Sequence, residues 1–203
     1  MEPFVVLPFI VLEGVAAPLD QSKVDTDQIL PARFLRRPRK EGYGQFLFKD
    51  WMDNPAFVLN QAPYRQAKIL VADRAFGVGS SREQAPWALS DYGIRCVIAL
   101  DFGEIFVLNS FKSGVLPITL DSCDVLRKQL HASPGAAMKI DLPSQTVTGP
   151  DGTTYRFEID AFRKKCLLEG LDEVGITLQH DAAIAAFEKR YRQRFDWLFD
   201  GKI

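Results

Sequence analysis

Three short, nearly continuous apolar runs, Lys68–Ala72, Cys96–Leu100 and Val115–Leu120, constrain this chain more than any other feature. Each is too short for a helix, rich in β-branched residues and free of alternation, as expected of parallel strands covered on both faces. Between the first two, Ala85, Ala88, Leu89 and Tyr92 recur at helical spacing and Gly93 closes the pattern. Between the second and third, Ile105, Leu108 and Phe111 do the same before Gly114. Strand, helix, strand, helix, strand is the order of a parallel α/β unit with right-handed crossovers. Ligands of such units bind at the carboxyl ends of the strands, which directs attention to the loop from Asp73 to Gln84.

The remaining segments are read as additions to that unit. The N-terminal run Phe4–Leu12 contains Pro8 and follows Glu2 rather than a basic stretch, so a buried strand is expected there and not a signal peptide. Met138–Ile159 alternates around Gly149-Pro-Asp-Gly152 and reads as an edge hairpin. Asp181–Phe199 reads as a terminal amphipathic helix capped by Asp181, with Ile184, Phe187 and Tyr191 on one side. With 203 residues, 47% hydrophobic and 25% charged, the chain is expected to form a single domain over 1–203 with a helical tail over about 181–203.

Charge and cysteine usage exclude several functions. A formal net charge of −1 supplies no global field for nucleic acid or an anionic membrane, so any anion site is local. No stretch approaches the roughly 20 apolar residues of a membrane-spanning helix. Cys96, Cys123 and Cys166 are far apart and form no CxxC, which predicts isolated buried thiols in a reducing compartment, the cytoplasm. His131 and His180 are the only histidines, too few for a histidine-based metal site.

The chemistry concentrates in Gly77-Val-Gly79-Ser80-Ser81-Arg82, between a buried strand and a helix. Glycines let the backbone turn tightly, amides at a helix start attract anions, and a guanidinium grips a carboxylate through two parallel hydrogen bonds. The loop therefore reads as a site for a small carboxylic acid. Two plainer readings stand beside this one. Ser80-x-x-Glu83 and Ser81-x-x-Gln84 are both capping boxes, so either serine is also placed merely to start the helix. Gly77-x-Gly79 with Asp101 at the end of the next strand suggests a dinucleotide loop, but Arg82 replaces the third glycine, where close helix–strand packing is needed.

Phe76-Gly-Val-Gly-Ser-Ser-Arg-Glu-Gln-Ala-Pro-Trp-Ala-Leu89 resembles the active-site loop of the aconitase-type swivelling domain, in a form close to isopropylmalate dehydratase small subunits. Val24-Asp-Thr-Asp-Gln-Ile-Leu-Pro31, Asn109-Ser-Phe111 with Gly114-Val-Leu-Pro117, Phe157–Arg163, Cys166–Asp172 and Gly175–Asp181 carry the same likeness along nearly the whole chain. The resemblance implies a swivelling β/β/α domain with a partly parallel sheet flanked by helices, plus the hairpin and the C-terminal helix.

It further implies a hydro-lyase active only with a large subunit. Ser80 would be the base that removes a proton from carbon next to a carboxylate. Ser81, Arg82, Gly79 and Asp27 would bind the small dicarboxylate substrate. The 4Fe-4S cluster would sit on the large subunit, with no cofactor or metal on this chain. Asp27 is equally placed to cap a turn together with Asp25. The basic loop from Phe34 to Gly44, ending in Gly42-Tyr-Gly44, reads either as a glycine-hinged lid over a dianion or as a solvated surface loop. Gln84, Val78, Ala75 and Lys112 stand where these subunits usually carry His, Cys, Asn and Asn. They leave open a divergent branch acting on another alkylmalate or a methylated C5 acid, or a carboxylate-binding module without chemistry.

Overall fold

A computed structural model describes residues 6–199. A seven-stranded mixed sheet runs through it. In chain order the elements are β1 (Val11–Pro18), α1 (Thr26–Ile29), α2 (Lys49–Met52), β2 (Ile69–Val71), α3 (Gln84–Tyr92), β3 (Cys96–Ala99), α4 (Glu104–Lys112), β4 (Leu116–Thr119), α5 (Cys123–Ala132), β5 (Ala137–Asp141), β6 (Thr146–Thr148), β7 (Thr154–Arg156), α6 (Ala161–Glu169), α7 (Glu173–Leu178) and α8 (Asp181–Arg194). The strand order is β4-β3-β2-β1-β5-β6-β7. β1 to β4 pair in parallel, while β5, β6 and β7 continue antiparallel from the other side of β1.

Side-chain alternation along the parallel strands divides the core in two. Leu70, Ala72, Val97 and Ala99 belong to one cluster, with Ala85, Ala88 and Leu89 of α3. Ile69, Val71, Cys96 and Ile98 belong to the other, with Cys123, Leu126 and Leu130 of α5. A strand with both faces covered has no polar side to show, which is why the runs of β2 and β3 are continuous; β4, at the sheet edge, buries Leu116 and Ile118 but leaves Pro117 half-buried and Thr119 exposed, short of the expected cover on both faces. Each buried Ile, Leu or Val contributes about 1.5–3 kcal/mol relative to exposure.

The structure corrects three expectations. The N-terminal strand is Val11–Pro18 rather than Phe4–Leu12, of which residues 4 and 5 lie outside the described residues. Val6 and Phe9 are buried, but Leu7 and Ile10 are exposed and hold no place in the sheet. The expected hairpin is a three-stranded meander, because the turn at Leu142–Gln145 adds a strand pair and β5 joins β1 in the sheet interior. The cap position of α8 is His180 with no side-chain bond, so Asp181 does not cap it. The helix itself is present, yet it buries no residue.

Candidate active site

The loop between β2 and α3 is held from both sides. Towards β3, the Ala75 N–H donates to the Asp101 carboxylate (2.8 Å) and the Phe76 N–H to the Asp101 carbonyl (3.1 Å). Phe76 is fully buried, edge-on to Phe106 with ring centroids 5.3 Å apart. Towards α1, the Gly77 N–H donates to the Val24 carbonyl (2.8 Å), the Thr26 N–H to the Val78 carbonyl (2.9 Å) and the Thr26 hydroxyl to the Ser80 carbonyl (2.9 Å). Asp25 caps α1 in a capping box with Gln28. The loop backbone is thereby fixed as far as Ser80.

Both glycines are required by this anchoring, and for a reason other than the expected approach to a ligand. A Cβ on Gly77 (φ +73°) would lie 2.2 Å from the Phe106 ring, and one on Gly79 (φ +93°) 2.0 Å from an Asp25 carboxylate oxygen. The chain comes close to itself, and only glycine fits.

Ser80 and Ser81 are exposed, and among the described residues neither hydroxyl has a hydrogen-bond partner. α3 begins at Gln84 with Glu83 at its cap position and no side-chain cap bond. The capping-box reading of the two serines is therefore overturned, because Pro86 sets the first helical turn beyond both serines. The dinucleotide reading also loses its acid, since Asp101 latches the loop backbone instead.

Arg82 lies across the Asp27 carboxylate. Both terminal nitrogens donate to it, one of them to Oδ2 at 2.9 Å, and Asp27 Oδ1 also accepts the Ala32 N–H at 3.1 Å. The Arg82 side chain is only 14% exposed and that of Asp27 48%, so the pair is half-shielded from water. The structure thus brings Asp27, Gly79, Ser80, Ser81 and Arg82 together. It also turns the guanidinium fork onto Asp27 rather than outward.

The loop from Phe34 to Gly44 departs from a hinged lid. Arg39 pairs bidentately with Asp91 in the last turn of α3 (2.5 and 2.9 Å), the Tyr43 N–H donates to the same carboxylate (2.6 Å), and Tyr43 is 2% exposed. A Cβ on Gly44 would meet the Asp91 backbone at 2.6 Å, so this glycine permits packing instead of hinging. Burial pushes the Tyr43 hydroxyl up from its ordinary range, which keeps it neutral as it donates to the Arg37 carbonyl (2.7 Å).

The larger grooves lie elsewhere along the strand ends. One of about 620 Å³ runs between α4 and α6 past Phe102, Thr119 and Arg163, away from Ser80 and Arg82. Ser80 itself is exposed at the surface. The donor set does not fit a resident iron–sulfur cluster: burial pushes the Cys123 thiol up to about 12 and the Cys96 thiol higher still, against thiolate formation. Among the described residues no group of three or more His, Cys, Asp and Glu is placed to hold a metal, and no helix is long and apolar enough to cross a membrane.

Asp25, Thr26 and Phe106 support this loop; the first two lie in the Val24–Pro31 motif but were given no role at the site, and Phe106 lies in no motif. The Asp25-x-x-Gln28 spacing is the signal that could have found the first, and nothing local marks the contacts of the other two.

Comparison with known proteins places the whole chain in one family. The family model described as the aconitase C-terminal domain matches residues 7–123. Two further models, LeuD_N and the C-terminal domain of the 3-isopropylmalate dehydratase small subunit, match 124–161 and 173–201. The 3-isopropylmalate dehydratase small subunit of Xanthobacter autotrophicus is 50% identical over 198 residues, covering 94% of this chain and 98% of the relative. A solved 3-isopropylmalate dehydratase structure from Methanocaldococcus jannaschii shares the fold with a TM-score of 0.69 at 24% identity, covering 87% of this chain and 99% of that one. With half its residues shared along almost its whole length, and with a loop that its own glycines and α1 hold open to solvent, the chain belongs to the family of 3-isopropylmalate dehydratase small subunits.

Proposed function

We propose that this chain is the small subunit of a two-subunit 3-isopropylmalate dehydratase, a hydro-lyase of leucine biosynthesis, and that Ser80 moves the proton. The reaction interconverts 2- and 3-isopropylmalate by loss and return of water. The observation that carries the reading is an exposed serine hydroxyl, unpartnered among the described residues, on an anchored loop two residues from a bidentately held arginine.

A serine oxygen is a weak base unless its negative charge is stabilised. The N–H groups of Ser81 and Arg82 have no backbone acceptor among the described residues, and Asp27 occupies only part of the Arg82 fork. These donors face charge that builds on the serine oxygen and on the substrate carboxylate as the proton leaves carbon. Asp27 then acts through Arg82, holding the guanidinium in one orientation, and Gly79 keeps the serine backbone against α1. Loss and return of hydroxide need a Lewis acid, the chemistry that a 4Fe-4S cluster on the large subunit supplies. The unpaired cysteines suit a reducing compartment such as the cytoplasm.

Mixing the purified chain with a cluster-loaded large subunit and 2-isopropylmalate tests the reading. A complex that forms 3-isopropylmalate, from two components that are each inactive alone, is the expected result. A complex that turns over only another 2-alkylmalate would move the substrate, and absence of any complex would overturn the proposal.

A further inference from the structure

We infer that the apolar stripe of α8, with α7 leading into it, is a docking strip for the large subunit, separate from the catalytic loop; the inference rests on the two-subunit reading above. Neither α7 nor α8 buries a single residue in this chain. Yet Ile184, Phe187, Tyr191 and Phe195 recur along one side, with Phe187 57% and Trp197 70% exposed. Their rings contact one another, Phe187 to Tyr191 at 5.7 Å and Tyr191 to Phe195 at 4.8 Å, and the stripe stays open to solvent. A 14-residue helix is marginal in water without tertiary packing, so a sequence that keeps such a stripe needs a surface to lay it on.

Two observations name the occupant. The aconitase-domain match ends at residue 123, whereas the tail from 173 to 201 matches a model named for the small subunit alone. A module named as the C-terminal domain of a longer chain is held to its catalytic partner covalently, and a free subunit must replace that tether with binding surface. The tail is also continuous with the catalytic face. Lys112 of α4 pairs with Glu173 of α7 at 2.7 Å, and one cleft is lined jointly by Glu83 and Trp87 of the Ser80 loop and α3 and by Glu173 and Val174 of α7. A large subunit lying over Ser80 reaches α7 directly and α8 beyond it. The flanks of the stripe carry Lys189, Arg190, Arg192 and Arg194 against Glu188, so the surface that receives it should have an acidic rim.

The test is the affinity of the full-length Phe187→Glu/Tyr191→Glu chain for the cluster-loaded large subunit, measured by titration calorimetry, with turnover at saturating large subunit. The Kd should rise about 100-fold, as for loss of two aromatic anchors, while kcat at saturation stays within about twofold. An unchanged Kd overturns the inference. So does a variant whose Kd is unchanged while self-association of the wild-type chain is lost, which would make the stripe a contact between copies of this chain. Hydrogen exchange on the wild-type chain asks the same question without substitution: amides over 182–194 should exchange at least tenfold more slowly in the complex, and equal rates contradict the docking. Wild-type chain that assembles and turns over with a normal double variant removes only this inference, whereas wild-type chain that never assembles removes the two-subunit reading and this inference with it.

Discussion

Replacing Asp27 by Asn takes one negative charge from a guanidinium whose two terminal nitrogens both donate to it, and leaves the side-chain shape intact. Charge-assisted hydrogen bonds contribute about 1.5–3 kcal/mol when shielded and exposed ion pairs about 0.2–1 kcal/mol. With Arg82 14% and Asp27 48% exposed, the pair lies between these limits, at roughly 1–2 kcal/mol. If that energy orients Arg82 for catalysis, kcat/KM of the assembled enzyme should fall about 5–30-fold in Asp27→Asn. Arg82→Lys keeps the charge but loses the fork, and should cost at least as much. The double variant should then be scarcely worse than Arg82→Lys alone, giving a coupling of about 1–2 kcal/mol in a double-mutant cycle. Steady-state kinetics on the four assembled enzymes, with thermal unfolding of each free small subunit as the structural control, reads this out. Effects that add to within about 0.5 kcal/mol would refute the claim that Asp27 works through Arg82.

Gly79→Ala should lower the melting temperature of the free subunit by about 4–8 °C, from about 2 kcal/mol of backbone strain and collision with Asp25, and abolish turnover; an unchanged melting curve would contradict the close approach. Asp91→Ala removes the carboxylate to which both Arg39 and the Tyr43 N–H donate, so limited proteolysis should find new cleavage over 36–42, and resistance equal to wild type would mean the other contacts of the loop suffice to hold it. The Cys96 and Cys123 thiols are pushed up by burial above the ordinary value of 9.0, so their contribution to stability is present below pH 9 and is lost as pH rises, because the unfolded chain releases protons that the fold retains. Urea unfolding at pH 8 and pH 10 should show that loss, and native-state alkylation at pH 8 should reach the partly exposed Cys166 first; equal labelling of Cys96 would contradict its burial.

What could be read from sequence tracks how local the cause is. β2 and β3 were legible because burial on both faces writes itself as a continuous apolar run within one short segment, and β4 because its run is as short and apolar although one face stays partly open. β1 was not: Gly14, Ala16 and Ala17 carry little hydrophobic signal, and the strand is fixed by partners on each side, β5 for its first half and β2 for its second. The members of the site were legible as motifs, but the Arg82–Asp27 pairing joins residues 55 apart and turns a predicted substrate fork inward. The fastening of the loop from Phe34 to Gly44 was hidden for the same reason, since Asp91, which accepts from it, lies 48 residues beyond Tyr43. The periodicity of α8 was plain, yet among the described residues its apolar side meets no covering surface.

The proposed chemistry depends on Ser80 carrying the proton, and kcat of Ser80→Ala in the assembled two-subunit enzyme tests this most directly. Loss of a positioned acid–base group should cut kcat by about 10²–10⁴-fold while KM and the affinity for the large subunit stay close to wild type. An intact complex that turns over 2-isopropylmalate within a few-fold of wild type without that hydroxyl would contradict it.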